Sequence, residues 1–295
     1  GARQNDALDA AFAWLGNHGA TEAAGFVLTP LLAWDADRLG ARQNDALDAA
    51  FTWLGNHGAT EVARFVLNPL LAWDADRLGN RADKLISSVL AWLATFHSAE
   101  SADFVLVGVL DRRQPDDSAR RQCAAWAMAW LDRHIETGDA THLFNTLLKT
   151  ANWHAESVDV PRIIKLAGLW LDRHPTHVER RFVMARLLRL PELPDRAWLG
   201  VAARALEELN LRAGDTQDDY ILSSVPVRLA GLRKEHRDLW LRLTQRWILH
   251  HGTAKAIGRL IWDCQKKSSR LVDAYVESLM SDCRQRFGPD FEVGP

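Results

Sequence analysis

The chain has 295 residues and a mass of 33.2 kDa, about twice the roughly 150 residues of a typical domain. Its 36 basic and 38 acidic side chains exclude a global nucleic-acid-binding polycation, and its three cysteines, none in a C-x-x-C pair, exclude a disulfide framework and a cysteine-based zinc finger. No apolar run approaches the roughly 18 residues of a membrane span and no basic-then-apolar leader opens the chain, so a soluble, reducing, cytoplasmic setting is expected.

Two counts stand out: 13 tryptophans against 2 tyrosines, and 11 histidines. Their spacing explains them. Residues 1–39 and 40–78 are one segment written twice, differing only at the 4 pairs Ala13/Thr52, Ala23/Val62, Gly25/Arg64 and Thr29/Asn68. A Trp-apolar anchor recurs at Trp14, Trp53, Trp92, Trp130, Trp170 and Trp247, with intervals of 39, 39, 38, 40 and 77 residues. The last interval is two periods, so a copy without tryptophan is expected near Leu209. The chain is therefore expected to hold about seven repeats of 38–40 residues.

Each repeat is predicted to be two helices. In the first, Asp6–Asn17, Leu8, Ala11, Phe12 and Leu15 fall at helical spacing and predict one buried stripe. His18-Gly19 is expected to stop it, glycine relieving the backbone beyond a helix end. Thr21-Glu22 restarts the chain, and Phe26, Val27, Leu28, Leu31 and Leu32 are expected to form the apolar face of the second helix. Pro30, Pro69 and Pro226 predict a kinked or shortened second helix. The run from Asp35 to Asn44 links to the next repeat. Beyond Trp262, Gln265–Phe287 is predicted to be one longer amphipathic capping helix and Gly288–Pro295 a tail. A pair of short helices cannot bury its apolar face alone, and stacking on neighbours does. The expected fold is thus an all-α solenoid over residues 1–262 with a capping segment over 263–295. A start at Gly1, with no N-terminal cap, leads to the expectation that this is a piece of a longer protein.

The pattern A-x-A-W-L-x-x-H followed by F-V-L-x-x-L-L is carried by WLGNH at Trp14–His18 and Trp53–His57 and by WLDRH at Trp130–His134 and Trp170–His174. FVLTPLL at Phe26–Leu32 and FVLNPLL at Phe65–Leu71 complete it. It resembles the tetratricopeptide-like repeats of prokaryotic STAND proteins, multidomain bacterial signalling ATPases related to NLR immune receptors. The period departs from the standard repeat of about 34 residues, and Trp-Leu-Gly is contiguous. The resemblance implies a right-handed superhelix acting as a sensor, which binds a protein or peptide inducer and releases the ATPase core of its own full-length chain. No G-x-x-x-x-G-K-S/T loop occurs, so this segment is not itself the phosphate-binding module.

The histidine four residues after each anchor is expected to stack on its tryptophan and to donate to carbonyls at the helix end. A metal ladder is disfavoured. Equivalent residues in stacked helices lie about 10 Å apart, whereas zinc ligands lie about 2 Å from the metal. His174 with His177, and His250-His251 with Cys264 and Cys283, are looser metal alternatives. No cofactor, metal or catalytic constellation is expected, and the protein is predicted not to be an enzyme. The tryptophans are expected to be buried between repeats, the alternative being exposed anchors for a partner.

A ridge five before, one before and three after each anchor faces away from the buried stripe. It runs Asp9-Ala13-Asn17, Asp48-Thr52-Asn56, Ser87-Ala91-Thr95, Ala125-Ala129-Arg133, Lys165-Leu169-Arg173, Arg204-Glu208-Arg212 and Arg242-Arg246-His250, from acidic to basic. Residues 1–78 carry 5 basic and 10 acidic side chains, whereas Arg228–Arg270 carries 11 basic and 3 acidic. First helices are expected to line a concave face that recognises a partner of matching charge. The candidate contacts are Asp9, Asp48, Lys165, Arg173, Arg204, Arg212, Arg242 and Arg246. Nucleic-acid binding by the basic C-terminal third is the alternative.

Overall fold

A computed structural model describes residues 2–34, 36–112, 117–211, 216–250, 252–265 and 270–291. Among them there is no β-strand; the fold is all-α. Helix α1 (Ala2–His18) turns into α2 (Ala24–Leu32), and the one-turn α3 (Ala36–Leu39) and a 3-10 turn at Gly40–Arg42 lead to α4 (Gln43–His57). The second repeat repeats this plan with α5 (Arg64–Leu71) and α6 (Ala75–Leu78). Then follow α7 (Ala82–Phe96), α8 (Ala102–Leu110), α9 (Asp117–His134), α10 (Thr141–Trp153), α11 (Val160–Arg173), α12 (Arg180–Arg189) and α13 (Asp195–Leu211). The chain ends with α14 (Asp219–Leu222), α15 (Lys234–His250), α16 (Ala254–Gln265) and α17 (Arg270–Phe287). The anchor tryptophans thus fall on α1, α4, α7, α9, α11 and α15. The copy expected near Leu209 is α13, where Leu209 is buried at the anchor position, but this copy is not free of tryptophan: Trp198, near the start of α13, is buried and donates to the Leu188 carbonyl at 2.9 Å.

The predicted stripe of the first helix is the buried one: Leu47, Ala50, Phe51 and Leu54 of α4 lie inside. The second helix differs from expectation at one residue. Ala24, Leu28, Leu31 and Leu32 of α2 are buried, but Phe26 is 67% exposed. Phe26 lies two residues from Leu28, about 200° around the helix, and so points the other way.

The second helices that hold proline are short, as expected, and the proline-free α10 runs to 13 residues, but proline is not required for a short one. Pro30 and Pro69 do lie inside α2 and α5, of 9 and 8 residues, but α8 has no proline and is also 9 residues long. Pro226 falls in a 3-10 stretch, Val225–Gly231, broken at Arg228. The glycine after the first helix also works differently from expectation. Gly58 keeps a right-handed φ of −61°; it is there because a Cβ would collide with the Leu54 carbonyl, which accepts the Gly58 N–H at 2.8 Å. Gly40 (φ 51°) and Gly79 (φ 56°), at the joints between repeats, take a left-handed φ, as does Gly288 (φ 101°) after α17.

The chain divides into two compact units, residues 1–150 with 154–159 and residues 151–153 with 160–295. The sequence-expected boundary at residue 262 falls inside α16. In the first unit α2 packs on α5 and α5 on α8, while α4, α7 and α9 each pack on the second helix of the repeat before. In the second unit α13 packs on α12, α15 on α14 and α17 on α16, so the terminal helix occupies the place of a next first helix.

The anchors hold this stacking. Trp53, Trp92, Trp130, Trp170 and Trp247 are buried. The indole Nε1–H of Trp53 donates to the Thr21 carbonyl at 2.9 Å, that of Trp92 to Thr60 at 2.8 Å and that of Trp130 to Ala99 at 2.8 Å. Each acceptor lies in the turn of the preceding repeat. Histidine stacks on the anchor as predicted, at centroid distances of 4.9 Å for Trp53–His57 and 4.4 Å for Trp130–His134. The carbonyls it reaches are not those of its own helix end. His57 Nε2 lies 2.9 Å from the Ala20 carbonyl and His134 Nε2 lies 3.3 Å from that of Ser98. The Trp53–His57 and Trp130–His134 pairs therefore each grip two adjacent carbonyls of the repeat before, with the proton on Nε2. In the third repeat Phe96 occupies the histidine position and stacks on Trp92 at 5.2 Å. His57→Phe is accordingly expected to keep the stack, lose one hydrogen bond and lower stability by about 1 kcal/mol, measured by urea denaturation.

Candidate interaction surface

The ridge lies where the spacing predicts. All of its residues on α1, α4, α7, α9 and α11 are exposed, Asp9, Asp48, Lys165 and Arg173 included. On α13 and α15 it turns partly inward: Arg204, Glu208 and Arg246 are half-buried, while Arg242 and His250 are exposed. Arg212 lies outside the described residues.

The structure divides these candidates into two kinds. Some bind the chain to itself. Asp9 accepts from Arg42 at 2.5 Å and Asp48 from Arg81 at 2.5 Å, each arginine coming from the start of the next first helix. Arg204 Nη1 lies 2.6 Å from Asp172 and its Nε 3.5 Å from Glu208, and Arg246 donates to the Leu209 carbonyl at 3.0 Å. The repeat therefore reuses its ridge charges as links between neighbouring repeats. Lys165 and Arg242 are of the other kind, exposed and without a hydrogen bond or ion pair to a described residue. Much of the basic C-terminal segment is also internally engaged. Arg228 pairs with Asp195 at 2.9 Å and donates to the carbonyls of Leu193 and Pro191, and Arg237 donates to that of Leu232.

Charge is divided between the units. The first carries 13 basic and 21 acidic side chains, net −8, and the second 23 and 17, net +6.

A second exposed feature escaped the sequence argument. Phe26, Phe65 and Phe104 stand at 39-residue intervals on α2, α5 and α8, and all three are exposed. The rings of Phe26 and Phe65 lie 6.0 Å apart, and the Arg64 guanidinium sits 4.5 Å from the centroid of Phe65. His142 holds the corresponding place on α10. In the second unit Phe182 and Tyr220 continue the pattern, edge-to-face at 5.1 Å. The recurrence was legible in F-V-L, but an apolar residue inside an apolar run carries no sign of facing outward.

Beside Phe104 lies a pocket of about 430 Å³ with an acidic lining that includes Glu61, Glu100, Asp103 and Asp139. Asp103, in the first turn of α8, is the buried member, only 5% exposed. Burial raises its carboxyl above the usual carboxylate range and the Asp139 charge adds to the rise, while backbone N–H groups and His142 oppose it. A raised folded-state pKa means that ionisation weakens the fold above that pKa and ceases to do so below it. Asp103→Asn is therefore expected to raise the thermal midpoint at pH 7 by a few degrees, with the gap closing as pH falls towards about 4. Paired melts across that range check it.

Other chemistry finds little support in the geometry. Burial pushes the Cys123 thiol up to about 12 and that of Cys283 up to about 11, so neither is a thiolate at neutral pH. His174 and His177 lie edge-to-face 6.3 Å apart beside Trp170, and His251 lies outside the described residues. Among the described residues no group of three or more His, Cys, Asp or Glu is placed to hold a metal ion, and no helix is long and apolar enough to cross a membrane. Comparison with family models, curated proteins and solved structures finds no match to this chain.

Proposed function

We propose that the chain is an α-solenoid of tetratricopeptide-like repeats that binds a protein or peptide partner and performs no catalysis. One observation carries this reading. The anchors Trp53, Trp92, Trp130, Trp170 and Trp247 are buried, although Trp153 of the second tryptophan set is 71% exposed and not inside as expected, while the ridge beside the anchors is presented to solvent on α1, α4, α7, α9 and α11. Within a unit, packed helices that keep one helix row exposed offer a pre-ordered surface, and such a surface loses little entropy on binding. Following the resemblance to STAND sensors, the partner would be an inducer, or the ATPase core of a longer chain.

Lys165 and Arg242 are the strongest contact candidates, because both are exposed and neither makes a hydrogen bond or ion pair to a described residue, although the Arg242 charge does act on Asp238. The double variant Lys165→Glu/Arg242→Glu is expected to lose captured partner about tenfold in quantitative affinity capture, with an unchanged melting profile. Equal capture by both proteins would remove the ridge from the reading. Nucleic-acid binding is disfavoured by the internal pairing of Arg228 and Arg237. Were the captured partner DNA or RNA, retention would fall steeply between low and physiological salt.

A further inference from the structure

The acidic pocket beside Phe104 is built in a way that specifies a ligand. Among its described lining residues the only guanidinium is Arg64, and Glu61 already holds it at 2.5 Å. Glu100 and Asp139 are exposed and make no ion pair with a described residue. Asp103 supplies the independent observation. It is 5% exposed, and its Oδ1 has no hydrogen-bond partner. A buried carboxylate oxygen left unpaired is costly, and natural structures keep one where a ligand completes it. At the lip stands Phe104, 61% exposed, and Trp130 contributes indole surface to the wall.

A single metal ion does not suit this lining, since the carboxylates do not converge as ligands. A guanidinium does. Its planar fork offers five N–H donors that reach separate acceptors at once, and its face stacks on an aromatic ring. The neighbouring groove argues that the guanidinium arrives on a polypeptide. That groove, of about 800 Å³, shares Phe104 and is lined by Leu71, Trp73 and Val107, with Asp74 and Asp111 among its polar groups. It also holds Asn68, whose buried Oδ1 has no partner and can accept a backbone N–H.

We infer that the pocket formed by Glu61, Glu100, Asp103, Phe104 and Asp139 receives an arginine side chain of a partner polypeptide, whose adjoining apolar residue lies in the groove across Phe104. This site rests on the reading of the chain as a partner-binding protein, but it lies at the second helices rather than on the ridge. The net −8 charge of the first unit favours the approach of such a basic segment.

The test is fluorescence anisotropy on the intact chain. The probe is a short labelled peptide of arginine and leucine in a glycine–serine background, beside a matched peptide with glutamate for arginine. The arginine peptide is expected to bind and the glutamate peptide not. Asp103→Asn and Phe104→Ala are each expected to weaken binding about tenfold, while Asp273→Asn, the same change of charge on α17, leaves it unchanged. Phe104 is exposed, so its variant tests the site without disturbing the core. No binding of the arginine peptide, equal binding by Asp103→Asn, or an equal loss in Asp273→Asn overturns the site. Agmatine, a guanidinium without a chain, is expected to bind at least about tenfold more weakly; equal affinity would overturn the polypeptide assignment. Lys165→Glu/Arg242→Glu is expected to bind the probe normally. Failure of the ridge and failure of the pocket are therefore separable.

Discussion

Trp92→Ala is expected to destabilise the protein by about 3–5 kcal/mol, and Trp14→Ala by much less, about 1–2 kcal/mol. The two residues occupy the same place in their repeats. Trp92 is buried beneath the preceding repeat and donates to the Thr60 carbonyl, whereas Trp14 is half-buried and its face has no preceding repeat among the described residues. Alanine at position 92 therefore leaves a cavity the size of an indole between two repeats and removes the hydrogen bond that ties them. At position 14 it removes mainly surface area. Urea midpoints followed by circular dichroism measure the difference. Equal losses would mean that the anchor stabilises its own helix and not the join between repeats.

Glu208→Gln is expected to be nearly as damaging, at about 3–5 kcal/mol, because it strands a buried charge. The Arg180 side chain is 2% exposed, with Glu208 at 2.9 Å and the carbonyls of Pro175 and Leu171 among its other acceptors. Glutamine keeps the shape but removes the negative charge that offsets the guanidinium's lost hydration. The double variant Arg180→Met/Glu208→Gln is expected to recover much of the loss, since no uncompensated charge then remains. Thermal melts of the two proteins decide it; a double variant no more stable than Glu208→Gln would assign the damage to lost packing instead.

Glu208 also marks the limit of the ridge argument. Spacing places it with Arg204 and Arg212 on the solvent side, and on α1 to α11 the same spacing does predict exposure. On α13 the charges turn inward. Arg180 belongs to α12, the preceding second helix, and no count along α13 could have shown that a guanidinium waits there. Asp9 and Asp48 carry the same lesson. Their positions were read correctly as exposed, yet each is held by an arginine 33 residues ahead. The repeat length brings that partner alongside, and the period alone does not say which charges meet.

The pocket was less legible still. Glu61, Asp103 and Asp139 come from three different repeats. Glu61 and Glu100 do recur with Glu22 at 39-residue intervals, but that recurrence does not say that two of them close on a buried Asp103. Phe104 recurs as well, but the expectation placed its column inside. An α-helix of 8 or 9 residues with a wide apolar face leaves the outward residue undetermined until the neighbouring helices are in place.

The sequence alone determined the period of the anchors, the buried stripe of the helices that carry them and the stacking of histidine on tryptophan. These depend on residues a few positions apart along one helix, where 3.6 residues per turn sets the geometry. Tertiary structure decided which carbonyls the indoles and imidazoles grip, which ridge charges the chain itself engages, and that a buried carboxylate with one unpaired oxygen stands beside an exposed phenylalanine. Those facts depend on side chains from different repeats. Their distances are set by how helices pack, which no single helix encodes.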